Sequence, residues 1–173
     1  MKGVALVGAL VVVIESQIAF AFNNEPQGFG PLRFGMSAAA AKQALPEIKS
    51  KGSEEFLALY ELENQSVLGL HPCHVDLRFI DDQLYEVGFR CEPKDKVVAA
   101  LEKHFGAPVQ QGPGGTVWLS EKRSVTLSPK STAFSYTDRQ LSTVAQQKLL
   151  GYVLRQQARA QATAAAPSPA PTP

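Results

Sequence analysis

Polar and apolar residues alternate most regularly between Cys73 and Cys91. Cys73, Val75, Leu77 and Phe79 take every second position with His74, Asp76 and Arg78 between them; after Asp81-Asp82-Gln83 the pattern resumes with Tyr85, Val87, Phe89 and Cys91. A period of two is that of a strand with one buried face. Slipping the pairing by one residue would turn a whole apolar row to water. The pattern therefore predicts an antiparallel hairpin with Phe79 opposite Tyr85, Leu77 opposite Val87 and Val75 opposite Phe89. The same register sets Cys73 opposite Cys91, and directly opposed residues have Cα atoms about 4.5–5.5 Å apart, a distance that a disulfide spans.

Helical spacing marks three other segments. Ser37 is a predicted cap for a short alanine-rich helix over 38–45, ended by Pro46. Asp95, then Val97, Val98, Leu101 and Phe105, with Gly106 and Pro108 beyond them, predict a second helix. Thr137 with Gln140 fits a capping box that opens a terminal helix over 138–160, its apolar stripe made of Leu141, Val144, Ala145, Leu149, Tyr152 and Val153. Residues 55–62 read as extended. Val117 and Leu119 are predicted to pair with Val125 and Leu127 around a turn at Glu121-Lys122-Arg123, followed by a strand around Phe134 and Tyr136. Trp118 then lies on the face opposite Val117, and with Tyr136 it forms the candidate partner surface. The expectation is an α+β fold, an antiparallel sheet with packed helices, arranged as two helix-plus-three-strand halves and a C-terminal helix.

The two ends of the chain differ from this middle. Lys2, the apolar run from Val4 to Ile14 and the small-x-small triplet Ala19-Phe20-Ala21 have the pattern of a signal peptide over residues 1–21. A spanning helix needs about 20 predominantly apolar residues, and Glu15, Ser16 and Gln17 interrupt this run too early. The mature chain is thus expected to be exported, periplasmic or secreted, with no transmembrane segment. Residues 22–160 read as a single domain including the terminal helix. Residues 161–173, which finish Ala-Pro-Ser-Pro-Ala-Pro-Thr-Pro, read as a disordered Ala/Pro-rich tail that cannot bury enough surface to fold. An oxidising compartment favours a bridged Cys73 and Cys91 over free thiols. With Lys plus Arg 17 against Asp plus Glu 16, no long-range field draws the chain to nucleic acid, so no nucleic-acid partner is expected.

Candidate chemistry is sparse. His71-Pro72-Cys73-His74 contains good ligands for zinc or copper, which makes His71 and His74 the metal candidates. Strand alternation sends Cys73 and His74 to opposite faces, however, and a disulfide consumes the sulfur, so no metal or other cofactor is expected. His104, near a helix C-terminus, reads as a cap. Gly112 to Thr116 lacks the lysine and Ser/Thr of a phosphate loop and reads as a loop before a hairpin. Asp81-Asp82 reads as turn chemistry. No Gly-x-Ser-x-Gly elbow is present and no catalytic residue is assigned, so an enzyme is not the expected class.

Phe34-Gly35-Met36-Ser37 opening the first helix, Leu101 with Phe105-Gly106-Ala107-Pro108 closing the second, and the antiparallel strands after each carry a resemblance. The chain resembles small exported bacterial domains of the outer-membrane-assembly small-lipoprotein type and the β-lactamase-inhibitor-protein type. No cysteine stands near the cleavage point, so lipid anchoring is not implied. The resemblance implies an exported, non-catalytic binding or scaffolding module of the bacterial cell envelope whose partner is an envelope protein, and it transfers no functional residue. The alternatives are a periplasmic carrier of a metal or small ligand using His71 and His74, and an envelope hydrolase built on carboxylates.

Overall fold

Ten strands and three helices follow one another in the computed structural model, which describes residues 22–165. They are β1 (Gly28–Phe29), β2 (Leu32–Arg33), α1 (Ala38–Ala44), β3 (Lys49–Glu54), β4 (Leu57–Val67), β5 (Leu70–Ile80) and β6 (Gln83–Cys91). Then come α2 (Lys94–Phe105), β7 (Gln110–Gly112), β8 (Gly115–Leu119), β9 (Arg123–Leu127), β10 (Ala133–Asp138) and α3 (Arg139–Ala165). The expected signal peptide, 1–21, and the last eight residues of the expected tail lie outside the described residues. Among the described residues no helix is long and apolar enough to cross a membrane.

β1 and β2 form a small ribbon, and the other eight strands form one antiparallel sheet in the order β3-β4-β5-β6-β10-β9-β8-β7. Each half of the chain is a helix followed by a four-strand meander, and the halves meet where their last strands, β6 and β10, pair antiparallel. The order of the second half therefore mirrors that of the first. This corrects the expected three strands per half to four. The missed strands, β3 (KSKGSE) and β7 (QQG), are the two edges of the sheet; every residue in both is exposed, so no apolar alternation announces them. Gly112 to Gly115 accordingly turns β7 into β8 directly ahead of the expected β8–β9 hairpin.

The β5–β6 hairpin keeps three of the four expected pairs: Cys73 with Cys91, Val75 with Phe89 and Leu77 with Val87. The fourth is corrected. Asp81 and Asp82 both have positive φ, 47° and 60°, the left-handed pair of a two-residue hairpin turn. Ile80 then opposes Gln83 and Phe79 opposes Leu84, and a bulge at Tyr85 restores the register beyond it. The bulge lets two consecutive apolar residues both be buried: Leu84 joins the main core, while Tyr85 joins a separate cluster with Ile80 and Ala145.

α1 and α2 cover one face of the sheet. Ala41 of α1 and Val97, Leu101 and Phe105 of α2 pack with Val75, Leu77, Val87, Phe89, Val125 and Phe134 in the main core. Ser37 caps α1 as expected, its Oγ accepting from the Ala40 amide at 3.2 Å, and Gly106, with φ 85°, ends α2. α3 lies against the hairpin end of the opposite face, where Leu141 and Ala145 meet Ile80 and Tyr85, and Tyr152 packs edge-on against Phe56. Its cap is Asp138, whose Oδ1 accepts from the Leu141 amide at 2.9 Å, and not the expected Thr137. Thr137 is paired on both sides, to Glu86 of β6 and Ser124 of β9, whereas Asp138 is paired to β9 alone and is the last strand residue before the helix. The helix also runs to Ala165, five residues past the expected end at 160; Ala-rich sequence favours helix, and the first proline is Pro167.

Candidate functional site

The residues that alternate with the core rows build the other face of the sheet. They are His74, Asp76 and Arg78 on β5, Glu86, Gly88 and Arg90 on β6, Glu61 on β4, Thr126 on β9 and Ser135 on β10. Cross-strand pairing fixes their neighbours: Asp76 lies between Glu61 and Gly88, His74 opposes Arg90, Arg78 opposes Glu86, and Ser135 lies between Gly88 and Thr126. α3 covers the hairpin end of this face and leaves its centre open. Over Gly88 the missing side chain leaves a hollow of about 380 Å³, walled by Asp76, Arg78, Glu86, Arg90, Thr126 and Ser135.

Asp76 is the electrostatic centre of this face. Its Oδ2 accepts from Arg90 Nη2 at 3.1 Å, and its Oδ1 lies 3.2 Å from both Lys51 Nζ and His74 Nε2. Lys51 also reaches Glu61 at 3.2 Å, and Arg78 pairs with Glu86 at 3.3 Å. Burial alone would raise the Asp76 carboxyl. Hydrogen bonds from Lys51 and His74, with the charges of Arg90 and Lys51, outweigh it and hold the group below its ordinary 3.8. Glu86 moves the other way, because burial and the nearby Asp76 raise it more than Arg78 lowers it.

These shifts carry opposite signs in stability. A carboxyl whose folded pKa is depressed stabilises the fold above its unfolded value, and that stability is lost as pH falls through the folded value. For Asp76 the loss begins near 3.8 and completes below it. Asp76→Asn is therefore expected to flatten this part of the acid limb of a stability-against-pH curve, measured by urea unfolding between pH 5 and pH 2, two endpoints taken as roughly bracketing the carboxylate range. An acid limb unchanged from wild type would show that the contacts of Asp76 contribute nothing. Glu86 is stabilised by gaining its proton, so its contribution rises as pH falls through its elevated folded pKa and is fully present below the unfolded value.

The structure separates the residues singled out from sequence. Cys73 and Cys91 form a disulfide with Cα atoms 4.4 Å apart, and both are buried. His71 and His74 are not brought together: the His71 ring contacts the Gln65 carbonyl and Ser66 Oγ at the β4–β5 turn, whereas His74 faces Glu61 and Asp76. Glu61, His74 and Asp76 offer three ligand atoms within 4.8 Å of one another. Lys51 and Arg90 already bring to them the positive charge that a cation would supply. Asp81 and Asp82 do serve a turn, and they dock it as well, Asp81 to Lys148 of α3 and Asp82 to the Ala38 amide of α1.

Trp118 and Tyr136 are not a partner surface. Trp118 is 0% exposed, pairs with Val125 and donates its indole N–H to the Gly106 carbonyl at 2.8 Å. Val117-Trp118-Leu119 is apolar at consecutive positions, so alternation cannot choose the inward side; the largest side chain takes it, and Val117 and Leu119 are left half-buried. Tyr136, 5% exposed, stands between Val87 and Val125 on the same inner face and packs against Phe89 and Phe105.

The chain matches no protein-family model, no curated protein and no solved structure. Its chemistry is therefore read from the sheet face itself. The polar members of that face were visible in the sequence as the residues between the core positions. Gly88 was not singled out, although a glycine inside an alternating strand is a signal of close approach by another backbone or ligand.

Proposed function

We propose that this protein is an exported, non-catalytic binding or scaffolding module of the bacterial cell envelope that receives another envelope protein in the hollow over Gly88. The observation that carries this reading is Gly88 itself. A Cβ built there would meet Asp76 at 3.7 Å, an ordinary contact, and its φ is not in the left-handed region, so neither packing nor backbone conformation requires glycine. A glycine inside a strand costs about 0.5–1 kcal/mol relative to alanine. A bare backbone at the centre of an open, eight-stranded face gives a partner's side chain a seat, and the mixed charges around it suit a polar partner with both signs. The buried Cys73–Cys91 disulfide and the apolar pattern of the first residues support export.

The test is photo-cross-linking in intact cells with a reactive residue at Ser135 or Thr126, and at Gln43 on the exposed side of α1 as control. A discrete envelope-protein product is expected from the first two sites alone. It should disappear in Gly88→Leu, while Gly88→Ala keeps the fold at least as stable as wild type. A product that survives Gly88→Leu, or that forms equally from Gln43, would remove this face from consideration.

A further inference from the structure

The apolar stripe expected along α3 is only partly buried. Leu141, Ala145 and Tyr152 face the body of the protein, but Leu149, Leu150, Val153 and Leu154 are 37%, 62%, 47% and 55% exposed. Among the described residues Val109 is the one other large apolar side chain left open to this degree. Residues three and four apart are neighbours on a helix, so the four form one continuous patch, bordered by Gln146 and Gln157. Beyond Tyr152, which packs on Phe56, every residue from Val153 to Gln161 is exposed. The stretch 153–165 runs for roughly 20 Å at 1.5 Å per residue. A helix of that length is marginal in water by itself, so cover on its apolar side would stabilise it.

Charge decides what suits the patch. Between Ser142 and Gln161 the charged residues are Lys148, Arg155 and Arg159, whose spacing puts them on one flank of the helix, turned from the Leu150–Leu154 side. Lys148 pairs there with Asp81, and Arg155 with Glu55 at 3.7 Å, so carboxylates of the same chain meet them. Helices that lie on anionic lipid rely on cations beside their apolar side, and a charged protein partner needs a charged face. The Leu150–Leu154 side offers neither. Leucine and valine are their own complement, and glutamine carries both a donor and an acceptor. The patch therefore fits itself across a two-fold axis with no like charges opposed.

We propose that this face of α3 binds the α3 of a second copy of the chain, the two helices packed antiparallel about a two-fold axis with Leu150, Val153 and Leu154 at the centre. Antiparallel packing also sets the opposite ends of the two helix dipoles beside each other. The contact is one helix wide and falls at the small end of protein interfaces, so the dimer forms and dissociates with concentration. It does not depend on the hollow over Gly88 or on any partner there.

Sedimentation equilibrium of the purified mature protein, at about 1 to 300 µM, tests this. Wild type is expected to pass from one chain to two over that range. Leu150→Glu/Leu154→Glu sets carboxylates against carboxylates across the axis and should stay single throughout. Both positions are exposed, so its urea midpoint at low concentration should match wild type. Leu154→Gln keeps the face neutral and should weaken the dimer by about tenfold or more, because the lost side chain counts twice. A wild type that stays single at the highest concentration, a doubly charged variant that still pairs, or an unchanged dissociation constant for Leu154→Gln would each overturn the proposal. So would wild type, but not the charged variant, sedimenting with vesicles of phosphatidylglycerol and phosphatidylethanolamine, which would assign the face to lipid.

Discussion

Trp118→Ala is expected to lower the unfolding free energy by about 3–5 kcal/mol, the usual cost of truncating a buried tryptophan. A domain of this size has about 5–15 kcal/mol in total, so the variant should be partly unfolded or degraded at physiological temperature. Three contacts make this the largest single-residue effect. The indole is fully buried, packs beside Phe105 of α2 and donates to the carbonyl of Gly106, the residue that ends that helix. Trp118 thus fastens the second helix to the second meander. Trp118→Phe keeps most of the packing but leaves the Gly106 carbonyl without this donor, and should cost about 1–3 kcal/mol. Urea titration followed by far-ultraviolet circular dichroism distinguishes the three proteins. A midpoint for Trp118→Ala within error of wild type would mean that the side chain is not in the core.

Removing the disulfide is the second large effect. Cys73 and Cys91 are 18 positions apart, and closing a loop of that size restricts the unfolded chain by about 3 kcal/mol. The double variant Cys73→Ala/Cys91→Ala should lose about that much stability, with a further contribution from the two small buried side chains. Wild type in excess reductant should approach the double variant, and the double variant should be indifferent to reductant. If reductant leaves the wild-type midpoint unchanged, the two sulfurs are not bridged in the isolated protein. The bridge also matters for the open face. Cys73 precedes His74 and Cys91 follows Arg90, so it clamps the two strands next to residues of the charged cluster around Asp76.

What could be read in advance follows the range of the forces involved. The three hairpin pairs between Cys73 and Cys91 join residues at most 18 positions apart, and the Ser37 cap and the Gly106 end of α2 depend on nearer ones still, so pattern and capping chemistry locate them. Tyr85 shows the limit. Alternation placed it opposite Phe79, but a two-residue turn at Asp81-Asp82 and a bulge divert it to the opposite face, where Ala145, sixty residues later, covers it. Asp138 shows a similar limit. Thr137 has the better capping sequence, but β6 and β9 hold it in the sheet.

By itself, then, the sequence determined the α+β class, the helix-then-meander order, the core rows of β5 and β6 and the pairing of the two cysteines. Each depends on a period or a cap that neighbouring residues set. Tertiary structure alone decided the mirrored order of the two meanders, the inward side of Trp118, the separation of His71 from His74, the hollow over Gly88 and the uncovered side of α3. Those features depend on which distant element covers a face, which the residues beneath it do not specify even where, as at Gly88, they carry a local signal.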